Sequence, residues 1–230
     1  MTNARPILVQ TDQNGVSWWS LEGVGMGRKR GFDEDVVLDV VRNRFWATGY
    51  AGTSTYDLME ATGLGKGSIY KAFGNKNDLY VRVFSDYCQA LVAEAREELR
   101  GGPEAVVSSP MARLERYLVS IASAFAAESP HRGCFLTKGT VDVASDDAKV
   151  AEVARRAFES LADVFAATIR EAQDEGEVAD EADSLALGYL ILSVIRGIDS
   201  IAKSDIDGTI LERTARTAVA LIPRTVHTGR

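Results

Sequence analysis

The 230-residue chain is poor in the residues that build cross-linked or reactive sites: it holds two cysteines, two histidines and five prolines. Two cysteines give no disulfide framework, which suits a reducing compartment, and together with two histidines they fall short of a zinc site. Signatures of catalysis are missing too. Neither H-E-x-x-H nor G-x-S-x-G occurs. Gly63-Leu64-Gly65-Lys66-Gly67-Ser68 fails the spacing of a phosphate loop, and Gly23-Val24-Gly25-Met26-Gly27 lacks the dinucleotide spacing and its βαβ setting. No stretch carries a strand pattern. The N-terminal segment lacks the apolar region of a secretory signal. The most apolar later run, Leu185 to Ile195, is shorter than the ~20 residues that span a bilayer and is closed by Arg196. These absences lead to an expectation of an all-α cytoplasmic protein with no catalysis, cofactor, metal or membrane partner.

What is present is an ordinary globular composition, 46% hydrophobic and 26% charged, enough for the core of one or two domains. The net charge of −7 is unevenly divided: Met26 to Phe84 holds nine Lys/Arg against seven Asp/Glu, so the rest of the chain carries −9. An acidic body repels DNA and aims a basic end at it. Arg28, Lys29 and Arg30 stand directly before the first predicted helix. They read either as an arm for a minor groove or phosphate backbone, or as a solvated tail. Residues 1–27 read as a flexible extension, with Trp18-Trp19 and scattered glycines but no sustained period. Met26, immediately before the regular sequence, is a candidate start of translation.

From Gly49 to Phe84 the pattern is two short helices around a glycine turn, a helix-turn-helix. Leu58, Met59 and Thr62 precede Gly63, and Leu64 and Ile69 follow it, giving one apolar seam. Gly63 supplies the positive φ of the corner without a side-chain penalty. The second helix turns Ile69 and Phe73 inward and presents Lys66, Gly67, Ser68, Tyr70 and Lys71, small and polar, on the other side. Such a face approaches a duplex closely. Lys66, Lys71 and Lys76 neutralise phosphates, and the hydroxyls of Ser68 and Tyr70 bond to phosphates or base edges. In the other reading Tyr70 is mostly packing, and Lys71 and Arg82 are solvated charges.

In these residues the chain resembles the TetR family of transcriptional regulators, through Gly63, Tyr70, Phe73-Gly74 and Lys76, and upstream through Phe32, Phe45, Gly49-Tyr50 and Thr53-Ser54. The resemblance implies an N-terminal three-helix DNA-binding domain, residues 28–76, followed by a helical effector-binding and dimerisation domain, residues 77–230. It implies that residues Lys66 to Lys71 form the recognition helix, that Lys76 opens the next helix on a phosphate, and that Thr53 starts the supporting helix near the DNA backbone. Gly65 departs from the serine or asparagine common there, so a weaker cap is expected. The implied protein is a homodimer that binds a near-palindromic operator in double-stranded DNA and is released by a small-molecule effector, most often as a repressor.

Helical periodicity runs through the chain. Asp33 to Thr48 forms one helix, with Val36, Val37, Val40, Val41 and Phe45 at helical spacing, and Asn77 to about Leu99 a long connector holding the domain boundary. Further patterns end near Ser129-Pro130 and Gly176, and the last two run from about Glu181 to Lys203 and from Asp207 to Leu221. The Glu181 helix is apolar almost all round, from Leu185 to Ile198, so it needs cover on several sides. A dimer interface supplies it, with Gly188 and Gly197 allowing close approach; the alternative is the monomer's own core. Tyr117, Phe125, Cys134, Phe158, Phe165 and Tyr189 are the candidate effector contacts, or else plain core. Cys134, after Arg132 and Gly133 at an expected helix start, is a candidate thiol sensor, His131 and Cys134 a candidate metal pair, and a buried filler the plainer reading. A helical protein-interaction scaffold is the rival function.

Overall fold

The computed structural model describes residues 32–100, 108–128 and 132–225. Within them the chain forms nine helices, and the only β pairing is an isolated antiparallel bridge between Val178 and Arg224. The all-α expectation therefore holds. The Arg28-Lys29-Arg30 arm, Trp18-Trp19 and His131 lie outside the described residues.

The first three helices make the head. Helix α1 (Glu34–Thr48) starts where Asp33 accepts hydrogen bonds from the amides of Asp35 and Val36, and Glu34 and Asp35 in its first turn suit the helix dipole. Its inward stripe is Val37, Val41 and Phe45, four residues apart. Val36, read from the sequence with that stripe, is instead 55% exposed, because it falls one position off the repeat. Helix α2 (Thr55–Thr62) is opened by a capping box of Ser54 and Asp57. Gly63 follows at φ 67°, the left-handed corner that the sequence requires. Helix α3 (Lys66–Phe73) then begins at Gly65 with no side-chain cap.

Helix α4 (Lys76–Arg100) leaves the head and enters the body. Asn75 Oδ1 accepts from the amides of Asn77 and Asp78, at 2.8 and 3.0 Å. The preceding Gly74 sits at φ +82°, and a Cβ there would lie 2.8 Å from Asp78 Oδ2. The body adds α5 (Pro110–Ala127), α6 (Phe135–Asp142), α7 (Ala148–Asp174), α8 (Ser184–Ala202) and α9 (Gly208–Ala220). Asp147, Asp183 and Asp207 cap α7, α8 and α9 through their carboxylates. Arg113 pins the far end of α4: it is buried, donates to Leu99 O (3.0 Å) and Ser108 O (2.9 Å), and pairs with Glu171.

One apolar core runs through head and body. Phe45, Leu58, Ile69 and Leu79 are fully buried in the head, and Tyr80 and Phe84 of α4 carry the packing on to Phe135 of α6. Each such side chain contributes about 1.5–3 kcal/mol of burial. In the body, α7 packs along α8 and α4, and α5 along α9.

Two expectations about α8 change. Gly188 does allow a close approach, but inside the chain: a Cβ there would lie 2.5 Å from Ala162 O of α7, whereas Gly197 has open space beside it. The helix also continues past Arg196 to Ala202, 19 residues in all, so by length and composition it could cross a membrane, contrary to the reading from Leu185 to Ile195. Its packing is that of a body helix: Ile191, Ile195, Ile198 and Asp199 are buried against neighbouring helices.

Candidate nucleic-acid interface

Helix α3 is short, and its single fully buried residue, Ile69, anchors it to the head. That leaves most of its surface outside. Lys66, Gly67, Ser68 and Lys71 are all exposed, and the positions where Gly65 and Gly67 would carry a Cβ face open space. The face is therefore thin, cationic and hydroxyl-bearing, able to bring its backbone near a groove.

Its supports are specific. Tyr70 Oη lies 2.5 Å from Thr55 Oγ1, tying α3 to the first turn of α2, and Lys66 Nζ stands 5.8 Å from the Tyr70 ring. Tyr70 thus joins the packing and polar roles that the sequence left open. Lys76, the first residue of α4, lies with its ammonium 4.2 Å over the Tyr50 ring, and partial burial lowers its pKa. Asp57, in the first turn of α2, is held below the usual carboxylate range by hydrogen bonds from Ser54 and by Arg44, whose guanidinium is 2.9 Å away.

Thr53 is placed differently from its expected role. It is fully buried, its hydroxyl donating to Gly49 O at 2.7 Å and lying 2.6 Å from Thr48 Oγ1, so it fastens the loop between α1 and α2. Ser54 caps the supporting helix instead. Tyr56, in the first turn of that helix, is 71% exposed.

The candidate effector residues separate. Tyr117 and Phe165 are buried with ring centroids 6.1 Å apart, and burial pushes the Tyr117 hydroxyl pKa up. Phe125 and Phe158 are partly buried against the same core. Tyr189 does not join them: it is 42% exposed on the outer side of α8, because the helix turns Gly188 and Leu192 inward. Cys134 is buried at the start of α6, with its sulfur 3.5 Å from Tyr87 Oη and the Arg196 guanidinium beside it. Arg132, the cation expected near that thiol, is turned away; it covers Trp46 at 4.3 Å and pairs with Glu128 at 3.2 Å.

Fold and site define a class: a helix-turn-helix head with a cationic second helix, carried on a helical body. Residues 37–83 match the family described as "Bacterial regulatory proteins, tetR family", and residues 110–218 match "Tetracyclin repressor-like, C-terminal domain". The chain belongs to the TetR family of transcriptional regulators. It is 27% identical over 200 residues to the HTH-type transcriptional repressor ComR of Escherichia coli K12, covering 87% of this chain and 93% of that one. It is likewise 27% identical over 183 residues to an uncharacterized HTH-type regulator, YezE, of Bacillus subtilis, covering 79% and 92%. Among solved structures, a cysteine-substituted form of the TetR-family regulator CifR complexed with 26-base-pair operator DNA superposes with a TM-score of 0.74 at 24% identity, over 85% of this chain and all of that one. Reduced E. coli NemR superposes with a TM-score of 0.74 at 15% identity, over 84% and 98%.

Proposed function

We propose that this protein is a dimeric, ligand-responsive transcriptional repressor of the cytoplasm, without catalysis, that binds a near-palindromic operator in duplex DNA. The observation that carries the reading is the exposed α3 face of Lys66, Gly67, Ser68 and Lys71, with open space at Gly65 and Gly67. In this reading α3 enters the major groove, Lys76 meets a phosphate at the start of α4, and Tyr70 steadies α3 from α2. The Arg28-Lys29-Arg30 arm adds contacts to the groove or backbone beside it. The ComR relative is a repressor by name, and the CifR structure holds operator DNA. Both support this direction.

The head is residues 28–76 and the body 77–230, with α4 continuous between them. Dimerisation falls to α8 and α9. Leu185, Leu190, Ile210 and Leu221 are exposed there, and Leu190, Val194, Ile210 and Leu221 line an apolar groove of about 520 Å³ between the two helices. A twofold partner covers such a face and sets two heads on half-sites about 34–36 Å apart, or a multiple of that. The effector is a small molecule held in the body near Tyr117 and Phe165, with Cys134, Phe125 and Phe158 in the same core; it acts by binding one head spacing better than the other.

The experiment is affinity for duplex DNA measured across salt. Lys76→Ala is expected to weaken all duplexes alike and to flatten the salt slope by about one ion, whereas Ser68→Ala and Lys71→Ala alter preference at particular base pairs. A helical scaffold that does not use DNA gives no salt-dependent duplex binding at all.

A further inference from the structure

Two attachments of the head to the body stand out. One attachment is α4, whose Leu79 and Tyr80 pack in the head while Cys88, Ala95 and Leu99 are buried in the body. A single helix fixes distance better than it fixes rotation. The second attachment is a joint around Trp46 of α1.

The Trp46 indole N–H donates to Gly133 O at 2.9 Å, although the two residues are 87 positions apart. The Arg132 guanidinium covers the ring at 4.3 Å. The ring meets Tyr87 of α4 edge-on, with centroids 5.2 Å apart, and stacks on Phe135 of α6 at 5.9 Å. The corner that Trp46 grips is itself held from the far side. Gly133 N–H donates to Glu128 Oε2 at 2.9 Å, and Cys134 N–H donates to Oδ1 of Asp199, a fully buried residue of α8, at 3.0 Å. Gly133 sits at φ +65°, and a Cβ there would lie 2.4 Å from Asp199 Oδ1. The corner therefore cannot shift without breaking a hydrogen bond to α1 or to α8. By contrast, the Lys149–Asp78 ion pair, 3.3 Å long and tying α7 to the first turn of α4, has 65% and 41% exposed side chains and adds little.

We infer that the Trp46–Gly133 joint is the positioning element that fixes the angle of each DNA-binding head relative to α8, and so sets which operator half-site spacing the dimer accepts. The inference rests on the DNA-binding, α8-dimer reading above. Trp46 touches no DNA in this account; it acts through α1, which carries α2 and α3. Inserting or removing one base pair moves a half-site by about 3.4 Å and turns it by about a tenth of a helical turn. A stiff joint penalises both.

The test uses the full-length protein and three duplexes: the selected operator, and the same half-sites with one base pair added or removed between them. Trp46→Phe keeps an aromatic ring and removes the N–H donor. Gly133→Ala displaces the corner from its other side and leaves Trp46 untouched. For the wild type, a one-base-pair change in spacing is expected to weaken binding about tenfold or more. In both variants that penalty narrows by about two- to tenfold, the range of one lost hydrogen bond. Single-base substitutions inside a half-site keep their cost, since α3 is unaltered. A lower melting temperature with the full spacing penalty retained would mean that Trp46 is only packing, and would overturn the joint. If the wild type binds no duplex, the DNA-binding reading itself falls and takes the inference with it, an outcome distinct from that one.

Discussion

The α3 face and the Trp46 joint, both parts of the same head, are opposite in construction. The face is glycine-rich and open, with Lys66 and Lys71 exposed and a helix start that lacks a side-chain cap. The joint is aromatic and partly buried, with hydrogen bonds converging from α1, α5 and α8 on two consecutive residues. A surface that must meet a partner is left with groups to offer, whereas a joint that must transmit position is closed by contacts within the chain. The contrast separates what reads DNA from what aims the reader.

The comparison breaks most completely if the head loses its shared core. Phe45→Ala removes a fully buried ring that touches both Tyr50 and Tyr80, and is expected to cost about 3–5 kcal/mol, read as a lower denaturant midpoint and loss of binding to every duplex. Recognition and aiming then fail together. A smaller change acts on the face alone: Lys71→Ala or Ser68→Ala is expected to cost about 1–3 kcal/mol at one base-pair position if the side chain reaches a base, with spacing preference unchanged. Titration against single-substituted operators reads this directly. Gly74→Ala meets both a positive φ and the Asp78 carboxylate, and is expected to cost about 1–2 kcal/mol, detected as a lower melting temperature.

The smallest expected effect is one of pH. The Asp57 carboxyl is held below its ordinary range by hydrogen bonds from Ser54 and by Arg44. A depressed folded-state pKa means that its support of α2 is fully present above the ordinary aspartate value of about 3.9 and is lost as pH falls through the lower folded value. Hydrogen exchange of the first-turn amides of α2 is expected to quicken relative to α1 only in that acidic window. Equal protection at both ends of it would remove Asp57 from the capping role.

How much of this was legible in the chain follows from the range of the interactions. The helix-turn-helix was readable because its corner, caps and seam lie within a few residues of each other, and Gly63 takes the conformation that its position requires. Helices α7, α8 and α9 announce their starts through Asp147, Asp183 and Asp207. Periodicity failed where a neighbour decides the face. Val36 and Tyr189 look like members of apolar stripes, yet both are exposed, while Thr53 reads as a surface hydroxyl and is buried in a loop clamp. Asp199 looks like a polar interruption of an apolar helix; only the fold brings the Cys134 amide to it across 65 residues. The Trp46–Gly133 bond is longer in range still, and no local pattern encodes it.

The most direct test of the central claim is selection of binding sites from a random duplex pool at near-physiological salt, followed by titration of the enriched site. The account predicts a near-palindrome, bound by a dimer with a steep salt dependence that Lys76→Ala reduces. A folded, dimeric protein that enriches no sequence and binds duplexes without salt dependence would contradict it.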